Sequence, residues 1–359
     1  ALGYQTDVAP FEALDHRNDG AVLKSDKESF EVYTSPYSVG CDAEAELVAV
    51  STLEELETVN CAGKILLMVG AICSEQLMPK NFVFYNPDHH QAIISLLERK
   101  MPAAIITATA RNPDQVGALY PFPLIVDGDF DIPSVYCRDT VGASLQKSEE
   151  KAFRLEIRAR RLPSKATNVI ASRNTGASQK IVLTAHIDAY EDSPGASDNA
   201  SGIAVLLLAA EMLSNYQGGL GIEIAALNGE DHYSAGGQMD YLSRYLDEFP
   251  SIRLAINIDD VGHRKGRSAY SFYECPEDLE KKAMGIFKGF KGLCQGEPWF
   301  NGDHMIFVMN QVPSVAITAE HIQALMRSVT HTAKDTPENI DCQKLVEVAA
   351  SLDTLVRSL

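Results

Sequence analysis

From residue 163 to the C-terminus the chain repeats one pattern. Short, nearly unbroken apolar runs occur at 180–185, 221–227, 253–258, 268–272 and 312–318, with helix-period segments at 202–213 and 237–246 between several of them. A run that is apolar at every position, rather than at alternate positions, belongs to a strand buried on both faces. Such strands separated by helices pair in parallel. The region is therefore expected to form an α/β domain around a mostly parallel, twisted sheet flanked by helices. An earlier block, 35–162, carries shorter β-type runs at 46–50, 64–69, 103–107, 132–136 and 153–157 and one helical segment, 90–99. It is read as a separate, smaller, β-rich domain. A length of 359 residues fits two cores better than one. Residues 3–11 alternate like a strand, and 12–34 are polar, with Asn18-Asp19-Gly20 as a turn signal.

Composition removes some classes of function. A formal charge of −18 disfavours a nucleic-acid partner, whose phosphates would be repelled. The longest uninterrupted apolar run considered, 203–210, is far short of the roughly 20 residues that cross a bilayer, so no membrane span is expected. Seven cysteines without CxxC spacing fit neither a zinc ribbon nor a dense disulfide framework. Buried thiols in a reducing, cytoplasmic setting are the expectation, with a Cys275–Cys294 disulfide as the one alternative. No signal-peptide pattern is visible, and the opening Ala-Leu-Gly-Tyr reads like the end of a helix, which suggests further chain upstream. The pair His89-His90 on a polar stretch is read as surface.

Open α/β sheets bind ligands beyond the carboxyl ends of their strands. The 180–185 run ends in His186-Ile-Asp188, the 221–227 run in Asn228-Gly229-Glu230-Asp231, and the 253–258 run in Asp259-Asp260. Three strands thus deliver imidazole or carboxylate to one edge. Residues two apart on a strand point the same way, so Asp188 is placed to orient the His186 imidazole, the usual arrangement for a metal-bound histidine. Gly195-Ala-Ser-Asp198-Asn-Ala-Ser-Gly202 is a small-residue loop opening into a helix, with Asn199 or Ser201 as its cap. Crowding by small residues suits a carboxylate that must approach two cations. The adjacent acids Glu230 and Asp231 repel unless a cation or a shared proton intervenes, and their side chains diverge enough to serve two tasks.

The series His186-x-Asp188, SDNASG with Asp198, GED with Glu230-Asp231, INIDDVG with Asp259 and HTAKDT with His331 resembles the cocatalytic zinc aminopeptidases, a family that includes bacterial leucyl aminopeptidases and aminopeptidase Y. The stretch from Gly302-Asp303-His304 through Val312–Val315 to Glu320 is similar as well. The resemblance covers nearly all of 163–359 and implies a zinc-exopeptidase fold of the phosphorylase/hydrolase-like kind. It also implies a discontinuous catalytic domain, 1–34 with 163–359. The block 35–162 looks like the protease-associated domain inserted in several of these enzymes, on the segments Gly63-Lys-Ile-Leu-Leu-Met, Pro102-Ala-Ala-Ile-Ile and Asp131-Ile-Pro-Ser-Val-Tyr.

What the resemblance assigns is specific. Asp198 would bridge two divalent ions, zinc with manganese or cobalt as alternatives. His186 and Asp259 would complete one site, and Asp231 and His331 the other. Glu230 would be the general acid/base, and Asp188 the carboxylate behind His186. The implied substrate is a peptide with a free N-terminus. Two departures stand out: Asp231 occupies a position where the family usually has Glu, and Thr330 one where some relatives carry an oxyanion-stabilising Tyr. Tyr233, Tyr270 and His304 are the replacements considered for the latter. Related alternatives are dimetal carboxypeptidases or deacylases, glutaminyl cyclases, and a catalytically dead binding protein. Only 27 residues separate Asp231 from Asp259, too few for the dimerisation insert of the first group.

Overall fold

The computed structural model describes residues 2–359. Two compact units make up the chain: Ala1–Phe11 with Lys165–Leu359, and Glu12–Ser164.

The first unit is built on eight strands: β1 (Gln5–Asp7), β2 (Val169–Arg173), β3 (Lys180–His186), β4 (Gly221–Leu227), β5 (Ile252–Ile258), β6 (Ser268–Tyr273), β7 (Leu293–Gln295) and β8 (Ser314–Ala319). Their order across the sheet is β1-β2-β4-β3-β5-β8-β6-β7. The central four, β4-β3-β5-β8, are mutually parallel. Antiparallel pairs extend the sheet at β1–β2, β2–β4 and β8–β6, and β6–β7 is again parallel. Residues Ile181 to His186 of β3 are all buried, which is why that run lacks alternation: both faces are covered. Helix α1 (Ser201–Met212) packs against the C-terminal helix α2 (Cys342–Ser358), and Val205, Leu206, Ala209, Val348, Leu352 and Leu355 belong to one core with Leu183, Ile256 and Ile317 of the sheet.

The helical stretch Ala196–Asn215 reaches 20 residues at a mean hydropathy of 1.2, and so passes the length and composition test for a membrane span that the shorter run 203–210 fails. In this fold it is a core helix, with more than half of it buried.

The second unit holds its own eight-stranded sheet, in the order Ser29–Phe30, Pro10–Lys24, Ala152–Thr167, Cys41–Val50, Ile65–Met68, Ala104–Thr109, Ser134–Arg138, Tyr33–Thr34. The unit boundary falls at residues 11 and 12, not at the expected 34 and 35. The physical reason is pairing: Pro10–Lys24 is one 15-residue strand lying between Ser29–Phe30 and Ala152–Thr167. Its many charged side chains disguise it as a loop, because most of its residues are exposed or only partly covered. The Asn18-Asp19-Gly20 turn signal survives as a local kink inside the strand, where the Gly20 N–H donates to Asn18 Oδ1 and Gly20 takes φ +96°. His89 is exposed as expected, but His90 is buried. Helix Asp88–Lys100 turns His90 inward with Ile93, Ile94 and Leu97, positions three, four and seven further on. All seven cysteines are free, including Cys275 and Cys294. Burial pushes the Cys73 and Cys137 thiols up to about 12.

Candidate metal centre

Strand register brings the first ligands together. On β3, Thr184 lies opposite Asn257 of β5, and continuing that register by two residues sets His186 beside Asp259. His186 also faces Leu227, the last residue of β4, so the loop 228–231 emerges next to it. Asp198 arrives from the turn Ala196–Ala200 that precedes α1. There Asp198 (φ −113°, ψ 85°) and Asn199 (φ −137°, ψ 41°) leave helical geometry and turn the carboxylate inward.

Glycine makes this turn feasible. A Cβ on Gly202 would stand 2.3 Å from Asn199 Oδ1 and 2.4 Å from the Ile258 carbonyl oxygen. Gly195 has φ +64°, and a Cβ there would stand 2.6 Å from Ala189 Cβ. The small-residue crowding around Asp198 thus follows from close backbone approach. The N-cap position of α1 falls on Ala200, not on Asn199 or Ser201; Asn199, one residue earlier, still serves the first turn, its Oδ1 accepting the Gly202 N–H at 2.9 Å and its Nδ2 donating to the Ile258 carbonyl at 2.9 Å. Ser201 instead donates to the Ser197 carbonyl and accepts from the Val261 N–H.

Five expected ligands converge. His186 Nε2 is 2.9 Å from Asp198 Oδ1 and 3.5 Å from Asp259 Oδ1. His331 Nε2 is 3.1 Å from Asp198 Oδ2 and 2.7 Å from Asp231 Oδ1. The two oxygens of Asp198 therefore face different histidines. Within each trio, His186/Asp198/Asp259 and Asp198/Asp231/His331, the donor atoms lie within 4.8 Å of one another. Asp231, despite its shorter arm, reaches His331.

Asp188 stands behind His186 and has a second task as well. The His186 Nδ1 contact at 3.1 Å is with the Asp188 backbone carbonyl, and the Asp188 carboxylate stands farther off at 3.7 Å. That carboxylate is occupied elsewhere: Oδ1 accepts the N–H groups of Gly229 (2.6 Å) and Glu230 (3.2 Å), and Oδ2 accepts that of Asp231 (3.1 Å). It grips the loop bearing Glu230 and Asp231.

The electrostatics are those of crowded, buried acids. Burial raises the Glu230 carboxyl well above the usual carboxylate range. The charges of Asp231, Asp259 and Asp303 add to that rise, against the pull of His186. Asp198 is held low against burial by its contacts with His186 and His331. Among the described residues Asp231 Oδ2 is buried without a hydrogen-bond partner, and Asp259 Oδ1 has only the 3.5 Å approach of His186 Nε2. Unsatisfied buried carboxylate oxygens are costly, and cations between them remove the cost. Oxygen and imidazole nitrogen donors in two trios sharing one carboxylate fit a pair of divalent ions.

Several neighbours escaped the sequence reading. Tyr190 stacks on His331, with centroids 4.6 Å apart and planes 10° from parallel. Asp335, in the very motif that supplied His331, is fully buried against the Asp198 turn. Asp303 is fully buried, and burial together with the charges of Asp259 and Asp188 pushes it up to about 7. Of the replacements considered for the missing tyrosine, Tyr270 lies in the core against Phe287. His304 Nε2 contacts the Trp299 carbonyl while its ring packs on Tyr273 and Trp299, a structural placement. Thr330 is buried, with its hydroxyl lacking a hydrogen bond.

The model of Peptidase family M28 matches residues 168–356, more than half of the chain and the whole run from Asn168 to α2. The chain belongs to peptidase family M28. Among curated relatives, this M28 chain is 30% identical over 159 residues to the probable lipoprotein aminopeptidase LpqL of Mycobacterium tuberculosis, a match covering 44% of the chain and 31% of the relative. The chain spans about a third of the length of the curated relatives it matches. Two solved structures share the fold over 99% of the M28 chain. One is an aminopeptidase from Aneurinibacillus sp. strain AM-1 (22% identity, 84% of that chain, TM-score 0.75), and the other a zinc aminopeptidase from Bacillus subtilis (20%, 85%, 0.71).

Proposed function

We propose that this M28 family member is an aminopeptidase that binds two divalent ions, zinc in the first instance, and removes N-terminal residues from peptides. The observation that carries the reading is the Asp198 carboxylate, with one oxygen toward His186 and the other toward His331. His186, Asp198 and Asp259 would hold one ion, and Asp198, Asp231 and His331 the other. Bound there, such ions supply charge that polarises a peptide carbonyl and acidifies water.

The residues of the chain supply the rest. Glu230 lies beside this cluster on a loop that Asp188 fixes through three backbone N–H groups. Its carboxylate takes a proton from the attacking water and returns it to the departing amine. Burial makes the Glu230 carboxyl a stronger base than an exposed glutamate, which suits that double task. A free α-amino group would be held at one of the two ion sites, which would restrict cleavage to the first residue. In this reading the unit Glu12–Ser164 is an accessory protease-associated domain.

The test is a panel of chromogenic substrates with free and with blocked N-termini, run before and after chelation. Turnover of free N-termini alone, lost with chelator and regained with zinc, is expected. Cleavage of blocked substrates at equal rates would point to an endopeptidase or deacylase. No turnover of any member by the zinc-loaded chain would contradict the proposal.

A further inference from the structure

The turn that carries Asp198 is gripped by a residue outside the ligand set. Asp335 is 0% exposed. Its Oδ1 accepts the Ser197 N–H at 2.8 Å, its Oδ2 accepts the Asp198 N–H at 3.0 Å, and its backbone carbonyl accepts the Ala196 N–H at 3.2 Å. Three consecutive amides thus end on one aspartate. A carboxylate with both oxygens on adjacent N–H groups orients the peptide plane between them, and that plane sets the direction in which the Asp198 side chain leaves the backbone. Asp260 holds the same turn from another side, accepting the Ser197 hydroxyl at 2.6 Å.

Asp335 also lies four residues beyond His331, and the connection between them is short and tied. The Asp335 N–H donates to the Thr332 carbonyl at 3.0 Å, and that carbonyl also accepts the Ser193 hydroxyl at 3.3 Å. One segment therefore carries His331 and grips the backbone of Asp198, whose side chains meet at 3.1 Å. A ligand reached through its own chain neighbours can drift. A ligand whose backbone is clamped by the segment bearing its partner moves only with that partner.

We infer that Asp335 is a positioning residue that sets the placement of Asp198 and locks it to His331, so that both ion sites form or fail together. The inference rests on the reading of this site as a metal pair. Because Asp198 faces both histidines, its displacement weakens both sites, whereas loss of a ligand private to one site weakens mainly that one.

The test is zinc binding by chelator competition on the metal-free full-length chain, beside circular dichroism, thermal unfolding of the metal-free forms and steady-state kinetics. In Asp335→Asn the amide oxygen can accept one N–H, but its NH2 confronts the other, donor against donor. The variant is expected to keep the parent circular dichroism, to lose roughly 10–100-fold in affinity for each of the two ions, and to lose kcat with little change in KM. Asp335→Glu keeps the buried charge but displaces the carboxylate by one methylene, and should show the same paired loss where the Asn variant fails to fold. A purely stabilising role would lower the unfolding temperature of the metal-free chain and leave zinc affinity of the folded form at the parent value. That result, or loss at one site alone, overturns the inference. A parent chain that takes up no zinc overturns the metal reading and this inference with it.

Discussion

At the scale of single residues, the site is a set of crowded, buried acids around two histidines, in the proposed reading an ion-binding cluster beside one proton-carrying carboxylate. Asp198, Asp231 and Asp259 lie around His186 and His331, and Glu230 stands among them with its carboxyl raised by burial. If Glu230 moves protons and does not hold metal, Glu230→Gln should lower kcat by about 10²–10⁴-fold while the ion content of the purified chain stays at the parent value. Metal analysis and steady-state kinetics on the same preparation check both halves, and an equal loss of metal would make Glu230 a ligand instead. The five candidate ligands were legible in the sequence because each sits at a strand end or in a motif of distinctive spacing. Asp335 was not, although the motif around His331 contains it, because its task is to accept backbone N–H groups from residues 196–198, and no spacing announces a backbone contact. The second task of the Asp188 carboxylate was hidden for a similar reason. Strand alternation gives its direction toward His186, but not the three N–H groups of the neighbouring loop that it also accepts.

At the scale of elements, the end of one helix decides where the Asp198 carboxylate stands. Helix α1 begins so close to β5 that a methyl on Gly202 would overlap Asn199 Oδ1 and the Ile258 carbonyl. Gly202→Ala should therefore push α1 away from the strand, at a cost of about 1–3 kcal/mol. Because Asn199 moves with it, zinc affinity should fall as well. Denaturant unfolding of the metal-free chain and zinc titration report the two effects, and a variant of parent stability would show that the helix end has slack. Elements buried on both faces, such as β3 and β5, could be read from apolar runs alone. Pro10–Lys24 could not, since a strand with charged, exposed residues along most of its length carries no hydrophobic pattern, and only its partner strands reveal it.

At the scale of the whole molecule, two units with separate sheets share one chain, and the candidate metal centre belongs to the unit completed by residues Lys165–Leu359. Stability of that unit should depend on pH through His304, whose imidazole is fully buried and pushed down to about 4 by that burial. The unfolded chain then binds a proton that the folded one refuses. Stability is fully present above pH about 6.5 and falls as pH drops toward 4, by about 3 kcal/mol for this group. In metal-free protein, His304→Gln should flatten that part of the stability curve, and an unchanged slope would assign it to other groups. The central claim, that five side chains distant in sequence hold two ions through one shared carboxylate, is tested most directly by anomalous diffraction at the zinc edge from zinc-soaked crystals. Two peaks are predicted, one among His186, Asp198 and Asp259 and the other among Asp198, Asp231 and His331. No peak at these residues, or two peaks with Asp198 contacting neither, would contradict it.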